Sequence, residues 1–250
     1  MLLPLHEFDP DPVAVLDPSR WRGRAALPER GVACWFGDVV RARTAALRPA
    51  FEIPSEHGAH PIWIVEHGGE PLALCNLGVG APLAAGNLDV MLALGCTKVI
   101  GCGGAGVIRP GIDVGHVIVP TGAVRDEGTS YHYAPADAAV APHADALAAI
   151  VAERDAHGVP HDLGLTWTTD GLFRETRARV ARRREQGCIT VEMEASALFA
   201  VAAFRGAVYG QLLYAGDDVS AEQWDHRGWD KHTGVREHLL ALACGAALRL

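Results

Sequence analysis

Lysine is nearly absent from this sequence, and several common sequence signals are missing altogether. Only Lys98 and Lys231 are lysines among 22 basic residues, and the 250-residue chain has a net charge of −8. A protein that binds nucleic acid electrostatically normally presents a basic face, so we expect no nucleic-acid partner. No apolar run is long enough to cross a bilayer, and the first residues lack the order of a signal peptide. We therefore expect no membrane partner and a cytoplasmic location.

Motifs that bind metals or activate nucleophiles are also missing. The six cysteines form no C-x-x-C pair and lie mostly within apolar runs, which predicts buried free thiols. His57 and His60 have a metal-like spacing, but no cysteine or acidic ligand accompanies them, so we predict no metal site. Neither a G-x-S-x-G elbow nor a P-loop occurs.

What the chain does contain is an alternation of short apolar runs and helical segments, which predicts one α/β domain over 1–250. Prolines in residues 1–30 exclude a long helix there and predict an N-terminal arm. The short turn between the first two strands predicts a hairpin, and hence a mixed sheet. The predicted strands are 61–67, 71–78, 98–103, 116–124, 188–194 and 207–216. The predicted helices are 83–94, 143–157, 175–186, 195–204 and 235–249.

A glycine-rich segment, Gly101 to Gly106, follows the predicted strand KVI and fits G-x-G-x-x-G. A dinucleotide loop needs a helix to begin at once, whereas Pro110-Gly111 ends any helix within about a turn, so an NAD site is disfavoured. Two interpretations stay open. The segment either holds a small anion or a flat ring with its backbone N–H groups, or it is a tight turn between strands.

Two further positions are candidates for chemistry because each follows a strand-like segment, the first of which begins at about residue 32. Gly37 begins a helix, and Arg41 lies one turn inside it, which suits phosphate, although a solvated helix arginine is the alternative. Asp217 follows a strand at the end where α/β sheets gather ligands, and it could act as a general acid or form a turn.

The most unusual segment is VEMEA (191–195), where a buried strand passes into an apolar helix. Glu192 and Glu194 flank Met193 there. Acidic residues at a helix start are favoured by the helix dipole, which is one interpretation. The other is a binding site, because a carboxylate accepts two hydrogen bonds from a vicinal diol and methionine is an adaptable apolar floor.

Taken together, these segments resemble the nucleoside phosphorylase and uridine phosphorylase superfamily over residues 34–218. They occur in the same order as in that family and at close to the same spacing. The similar segments are GDVVRA (37–42), LGVGAP (77–82), the central stretch 98–133, WTTDGLF (167–173) and VEMEA (191–195), with Asp217 at the purine-type acid position.

The resemblance implies a fold, an assembly and a reaction. The fold is a three-layer α/β sandwich with a central mixed, partly barrel-like sheet flanked by helices. The assembly is a homo-oligomer built from dimers, often a hexamer. The reaction is cleavage of the N-glycosidic bond of nucleosides, by phosphate in phosphorylases and by water in nucleosidases. No cofactor is implied, since phosphate is a co-substrate.

The resemblance also implies roles for individual residues. Glu194 would bind the ribose hydroxyls, Met193 would pack on ribose or base, and Asp217 would protonate the leaving base. The other substrate-binding positions would be Glu192, Phe173 and, reaching a neighbour's 5′-hydroxyl, His6. The phosphate-binding positions would be Gly37, Arg41, Gly103, Gly104 and Arg125.

Departures from the family pattern lie at the phosphate site. Gly101 stands where many phosphorylases have arginine, Gly104 stands where they have serine or threonine, and a neighbour's arginine falls near His57. Arg109, Arg125 or Arg174 would have to compensate.

We therefore predict a purine nucleoside phosphorylase. The alternatives are a nucleosidase, a uridine phosphorylase, a non-catalytic nucleoside-binding protein and an NAD-dependent oxidoreductase.

Overall fold

A computed structural model describes residues 3–56 and 58–250; His57 lies outside the described residues. The strands are β1 (Arg30–Cys34), β2 (Phe51–Ile53), β3 (His60–His67), β4 (Glu70–Cys75), β5 (Lys98–Val107), β6 (Val117–Asp126), β7 (His161–Thr169), β8 (Cys188–Glu192) and β9 (Val208–Asp218). The α-helices are α1 (Gly37–Thr44), α2 (Ala81–Ala93), α3 (Ala144–Ala156), α4 (Arg177–Glu185), α5 (Ala195–Arg205) and α6 (Thr233–Leu248).

The sheet is mixed, as predicted, and part of it closes into a barrel. Its order is β2-β3-β4-β1-β5-β8-β7-β6-β9, and a further pairing of β5 with β9 closes the last five strands into a ring. The predicted hairpin is β3 and β4, which pair antiparallel. Strand β5 therefore belongs both to the open sheet and to the barrel.

Helices cover both faces of the open sheet and give the predicted three layers. Ala33 and Val99 pack with α2 and α5 on one face. Their strand neighbours Val32 and Ile100 pack with α3 and α6 on the other face. This alternation is what a strand buried on both sides requires, because successive side chains point to opposite faces.

The predicted strand 98–103 is confirmed, but the loop or turn predicted within the glycine-rich segment 101–106 is wrong. The whole segment belongs to β5, which pairs in parallel with β9 from Lys98 to Ala105. A Cβ atom at Gly101 would overlap the Tyr209 hydroxyl, and one at Gly104 would lie 3.1 Å from the Tyr214 ring. These glycines admit two buried tyrosines of the neighbouring strand against β5.

The N-terminal arm lies on its own domain. It contains two short 3₁₀ turns, and the Pro12 carbonyl accepts a hydrogen bond of 3.0 Å from Arg205. Phe8 meets Phe204 edge to face at 6.4 Å between ring centroids. All six cysteines are buried and unpaired, as expected. Within the described residues, no helix is long and apolar enough to cross a membrane.

Candidate functional site

A cavity of about 350 Å³ lies where the open sheet meets the barrel. Its wall comes from the β1–α1 junction, the second half of β5, the β8–α5 junction, the end of β9, and Trp229 and Arg236 near the C-terminus. Seven of the site residues that were predicted from the sequence lie on this wall, namely Gly37, Gly103, Gly104, Glu192, Met193, Glu194 and Asp217.

Glu192 is a buried carboxylate whose oxygens are held by the protein itself. Oε1 accepts from the Thr168 hydroxyl at 2.6 Å. Oε2 accepts from the backbone N–H groups of Glu194 and Ala195 at 2.7 and 2.6 Å. Burial raises the pKa of Glu192 above its usual value. The side chain thus secures the first turn of α5, which is the structural role that the helix-start interpretation expected.

Glu194 lies on the cavity wall with its carboxyl group beside the loop before α2. Its Oε1 accepts from the Gly80 N–H at 2.6 Å. Burial, followed by the nearby Glu192 carboxylate, raises the pKa of Glu194 to about 8. A carboxyl group with that pKa holds a proton in the empty site at neutral pH, and a hydrogen-bonding diol or a developing positive charge would favour its ionised form.

Asp217 lies at the end of β9 and is contacted by the loop that follows. Its Oδ2 accepts from the indole N–H of Trp224 at 2.6 Å. A Cβ at Gly106 would lie 3.5 Å from Asp217 Oδ1, so glycine in β5 leaves the carboxylate room at the cavity.

The sequence reasoning missed Glu175, whose pKa is raised to about 7 by burial and then by the charge of Asp217. No sequence signal marks Glu175 as a residue with a raised pKa, because only the fold brings it near Asp217.

The strand geometry shows which way the backbone N–H of Gly104 points. The Cys102 carbonyl accepts from Trp35 N–H at 3.1 Å, so Cys102 turns its polar groups toward the β1 side. Polar groups alternate along a strand, so Gly104 turns its N–H to the same side, where β1 has ended at Cys34. Gly103 turns its N–H toward β9 instead, with which it pairs. The predicted phosphate role therefore fits Gly104 and not the N–H of Gly103.

Gly37 and Arg41 lie together at the rim of the cavity. Gly37 begins α1 and lines the cavity. Nη1 of Arg41 lies 3.2 Å from the point where a Cβ of Gly37 would be. Arg41 itself is exposed and is not among the lining residues.

Arg125, which was predicted to bind phosphate, lies away from the cavity and its phosphate role stays a prediction. Its Nε donates to the Ser130 hydroxyl at 2.8 Å, and its terminal nitrogens donate to the carbonyls of Pro135, Ala138 and Ala134. The guanidinium group is thus committed to closing the loop after β6, and it does not line the cavity.

Phe173 and His6 also lie off the cavity wall of the single chain. Phe173 is 93% exposed, while its neighbour Leu172 lines the cavity. The His6 ring lies 5.7 Å from the Tyr131 ring of its own chain. Both roles stay predictions, and that of His6 concerns a neighbour's site.

Arg236 is a charged lining residue that sequence reasoning missed. It lies in the first turn of α6, which was predicted only as a buried C-terminal helix. Nη1 donates to both carboxylate oxygens of Asp38, at 3.3 and 3.2 Å. No local pattern marks this arginine, because its partner is 198 residues away in the chain.

Fold and cavity together define an α/β protein with a carboxylate-rich ligand site at the junction of sheet and barrel. The profile of the Phosphorylase superfamily matches residues 30–249, and the chain belongs to that family.

Relatives with similar sequences include phosphorylases. A guanosine phosphorylase from Halorubrum lacusprofundi is 28% identical over 196 residues, which cover 76% of this chain and 81% of that protein. A uridine phosphorylase from Escherichia coli is 25% identical over 210 residues, covering 78% and 82%. An AMP nucleosidase from Bacteroides thetaiotaomicron has the same fold, with a TM-score of 0.73, 21% identity and coverage of 92% and 93%.

Proposed function

We propose that this chain is a nucleoside phosphorylase that cleaves a purine nucleoside with phosphate, giving the free base and ribose 1-phosphate. The observation that carries the proposal is one cavity that is lined by Glu194 and Asp217 together with Gly37, Gly104 and Arg236. The guanosine and uridine phosphorylase relatives support the reaction class.

Glu194 is the group that binds the sugar in this proposal. Its carboxyl group accepts hydrogen bonds from the ribose 2′- and 3′-hydroxyls, and Met193 packs against the ring. As the bond to the base breaks, the sugar gains positive charge, and a negative carboxylate stabilises that charge more than it stabilises the ground state.

Asp217 is the group that serves the leaving base. The bonding electrons pass to the base nitrogen, and Asp217 donates a proton to the purine ring, which makes the base a better leaving group. A phosphate oxygen forms the new bond to C1′. The proton that monohydrogen phosphate releases on forming ribose 1-phosphate restores the proton on Asp217, so the reaction balances without a cofactor.

The proposed assembly is a homo-oligomer built from dimers. Val79 and Leu172 line the cavity yet are 69% and 53% exposed, and Phe173 beside them is 93% exposed. Exposed apolar side chains grouped at a cavity mouth suit coverage by a second copy. Sedimentation velocity tests this part, and a monomer at assay concentration would refute it.

Product analysis tests the function. The protein is incubated with adenosine, inosine, guanosine, uridine or methylthioadenosine, with and without phosphate. Base plus ribose 1-phosphate, formed only with phosphate, supports the proposal. Preferential release of uracil would overturn the purine assignment. Nucleoside binding without any product would identify a binding protein instead.

Hydrolysis is the second candidate, because the protein itself fills the space that a side chain at position 101 would need. Many phosphorylases have a phosphate-binding arginine at that position. The Tyr209 hydroxyl occupies the space beside Gly101, and there is no room for a side chain at that position. A nucleosidase would release base and free ribose at the same rate with or without phosphate.

A further inference from the structure

The charges on the cavity wall are unbalanced. Glu192, Glu194 and Asp217 are acidic lining residues, and Arg236 is the one cationic side chain among the lining residues in the described part of the chain. A phosphoryl dianion needs charge-assisted donors, which are the strong hydrogen bonds of such sites. Any anion that enters this cavity therefore meets Arg236.

The guanidinium group of Arg236 is held in place but is not saturated. Arg236 is 8% exposed, and its guanidinium carbon lies 5.6 Å from the ring centroid of Phe36 and 5.5 Å from that of Trp229. Besides the two contacts of Nη1 with Asp38, Nη2 makes a long bond of 3.4 Å to the Trp229 carbonyl, and the Tyr214 hydroxyl also interacts with the guanidinium group. Nε is buried and has no hydrogen-bond partner.

A buried charged donor without an acceptor is unfavourable, so the group gains when an acceptor arrives. Arg154, Arg183 and Arg227 also have an unpartnered Nε, but none of them lines the cavity. Of these four arginines, Arg236 alone lines the cavity.

We propose that Arg236 is the cationic ligand of a phosphoryl oxyanion in this cavity, and that Asp38 is the positioning residue that orients it. The anion lies against Arg236, the Gly104 N–H and the start of α1. This inference deepens the proposed function and rests on it where the anion is inorganic phosphate. The same chemistry would serve the 5′-phosphate of a nucleotide substrate.

Asp38 fits the positioning role because it is the second residue of α1. Its carboxylate accepts from Nη1 of Arg236 and thereby holds that end of the guanidinium group near the start of α1. The anion then uses the remaining donors and does not have to displace the carboxylate.

The test measures anion binding apart from turnover. Titration calorimetry with inorganic phosphate, and separately with a nucleoside 5′-monophosphate, compares the wild type with Arg236→Gln and Arg236→Lys. We expect a roughly 10- to 100-fold rise in Kd for Arg236→Gln, since charge-assisted bonds are lost. We expect a smaller rise for Arg236→Lys, which keeps the charge but not the fork. Kd for the unphosphorylated nucleoside should stay within about twofold.

Arg154→Gln is the matched control. Arg154 is also 8% exposed and also has an unpartnered Nε, but it lies on α3 away from the cavity. Its substitution should leave phosphate binding unchanged. If Arg236→Gln does not fold, Arg236→Lys decides, and unchanged phosphate and nucleotide binding in that variant overturns the inference.

The outcomes separate this inference from the proposed function. Phosphorolysis by the wild type with an unchanged phosphate KM in both Arg236 variants refutes the ligand and keeps the function. Phosphate binding that depends on Arg236, without phosphorolysis of any nucleoside, keeps the ligand and refutes the function. Arg236-dependent binding of the nucleotide alone identifies the substrate's own phosphate as the anion. No binding of either anion to the wild type refutes the inference.

Discussion

Asp217 gives the most direct residue-scale test of the chemistry. Asp217→Asn keeps an oxygen that can accept from the Trp224 indole, so the fold should survive. The variant has no acidic proton, and we expect kcat on a purine nucleoside to fall by roughly 10²- to 10⁴-fold. Steady-state rates measure this loss.

A substrate with an activated base provides the control for Asp217. A 7-methylpurine nucleoside already carries the positive charge that protonation would supply, so Asp217→Asn should cleave it at close to the wild-type rate. An equal loss on both substrates would mean that Asp217 acts in some other way than as the acid.

Gly101 gives a residue-scale test of packing. A Cβ there would overlap the Tyr209 hydroxyl and lie 3.2 Å from Gln211 Cγ. We expect Gly101→Ala to lower the free energy of unfolding by about 1–3 kcal/mol, the usual range for overpacking. Urea unfolding measures the change.

Tyr209→Phe supplies the second arm of this experiment, since it removes the overlapping oxygen. In that background Gly101→Ala should cost clearly less than in the wild type, and the difference is the coupling energy of a double-mutant cycle. Simple additivity of the two changes would contradict the packing account.

At the scale of the element, Glu192 tests how the β8–α5 junction is held. Its carboxylate accepts from Thr168, Glu194 and Ala195. Glu192→Ala leaves three buried donors without this acceptor, and we expect a loss of about 3 kcal/mol in the free energy of unfolding. Denaturant unfolding reports it.

Glu192→Gln is the conservative comparison for that junction. Its amide oxygen can face the two N–H groups, while its NH₂ can donate to the Thr168 oxygen, so we expect a loss of only about 1 kcal/mol. Equal stability of the alanine variant and the wild type would show that the cap contributes nothing.

At the scale of the whole molecule, the buried carboxyl groups predict a pH dependence of stability. The pKa of Glu194 is raised from 4.5 to about 8 by burial and the neighbouring Glu192. The native state therefore holds this proton where the unfolded state has lost it. Its contribution to stability is full below pH 4.5 and is lost as the pH rises to about 8.

Glu194→Gln isolates this contribution because it cannot titrate. The difference in unfolding free energy between variant and wild type should shift in favour of the variant by about 4 kcal/mol between pH 5 and pH 8.5. Denaturant melts at several pH values measure it. A difference that is constant with pH would refute the raised pKa.

Local patterns were sufficient for much of the fold. Period and turn signals placed the β3–β4 hairpin and five of the helices, because each depends on neighbours in the chain. Strands β2 and β7 were not predicted as strands: β2 is only three residues long, and β7 carries buried threonines at 166, 168 and 169 in place of an apolar run.

By itself, the sequence determined the family and the residues that flank the β8–α5 and β9 ends, since Glu194 and Asp217 lie in ordered motifs next to the strands that carry them. Only the tertiary structure decided which other residues line the candidate site. It extended the predicted strand 98–103 through Gly106, committed Arg125 to its own loop, and brought Arg236 to Asp38 across 198 residues. Such contacts depend on how helices and strands pack in three dimensions, which no local pattern of residues records.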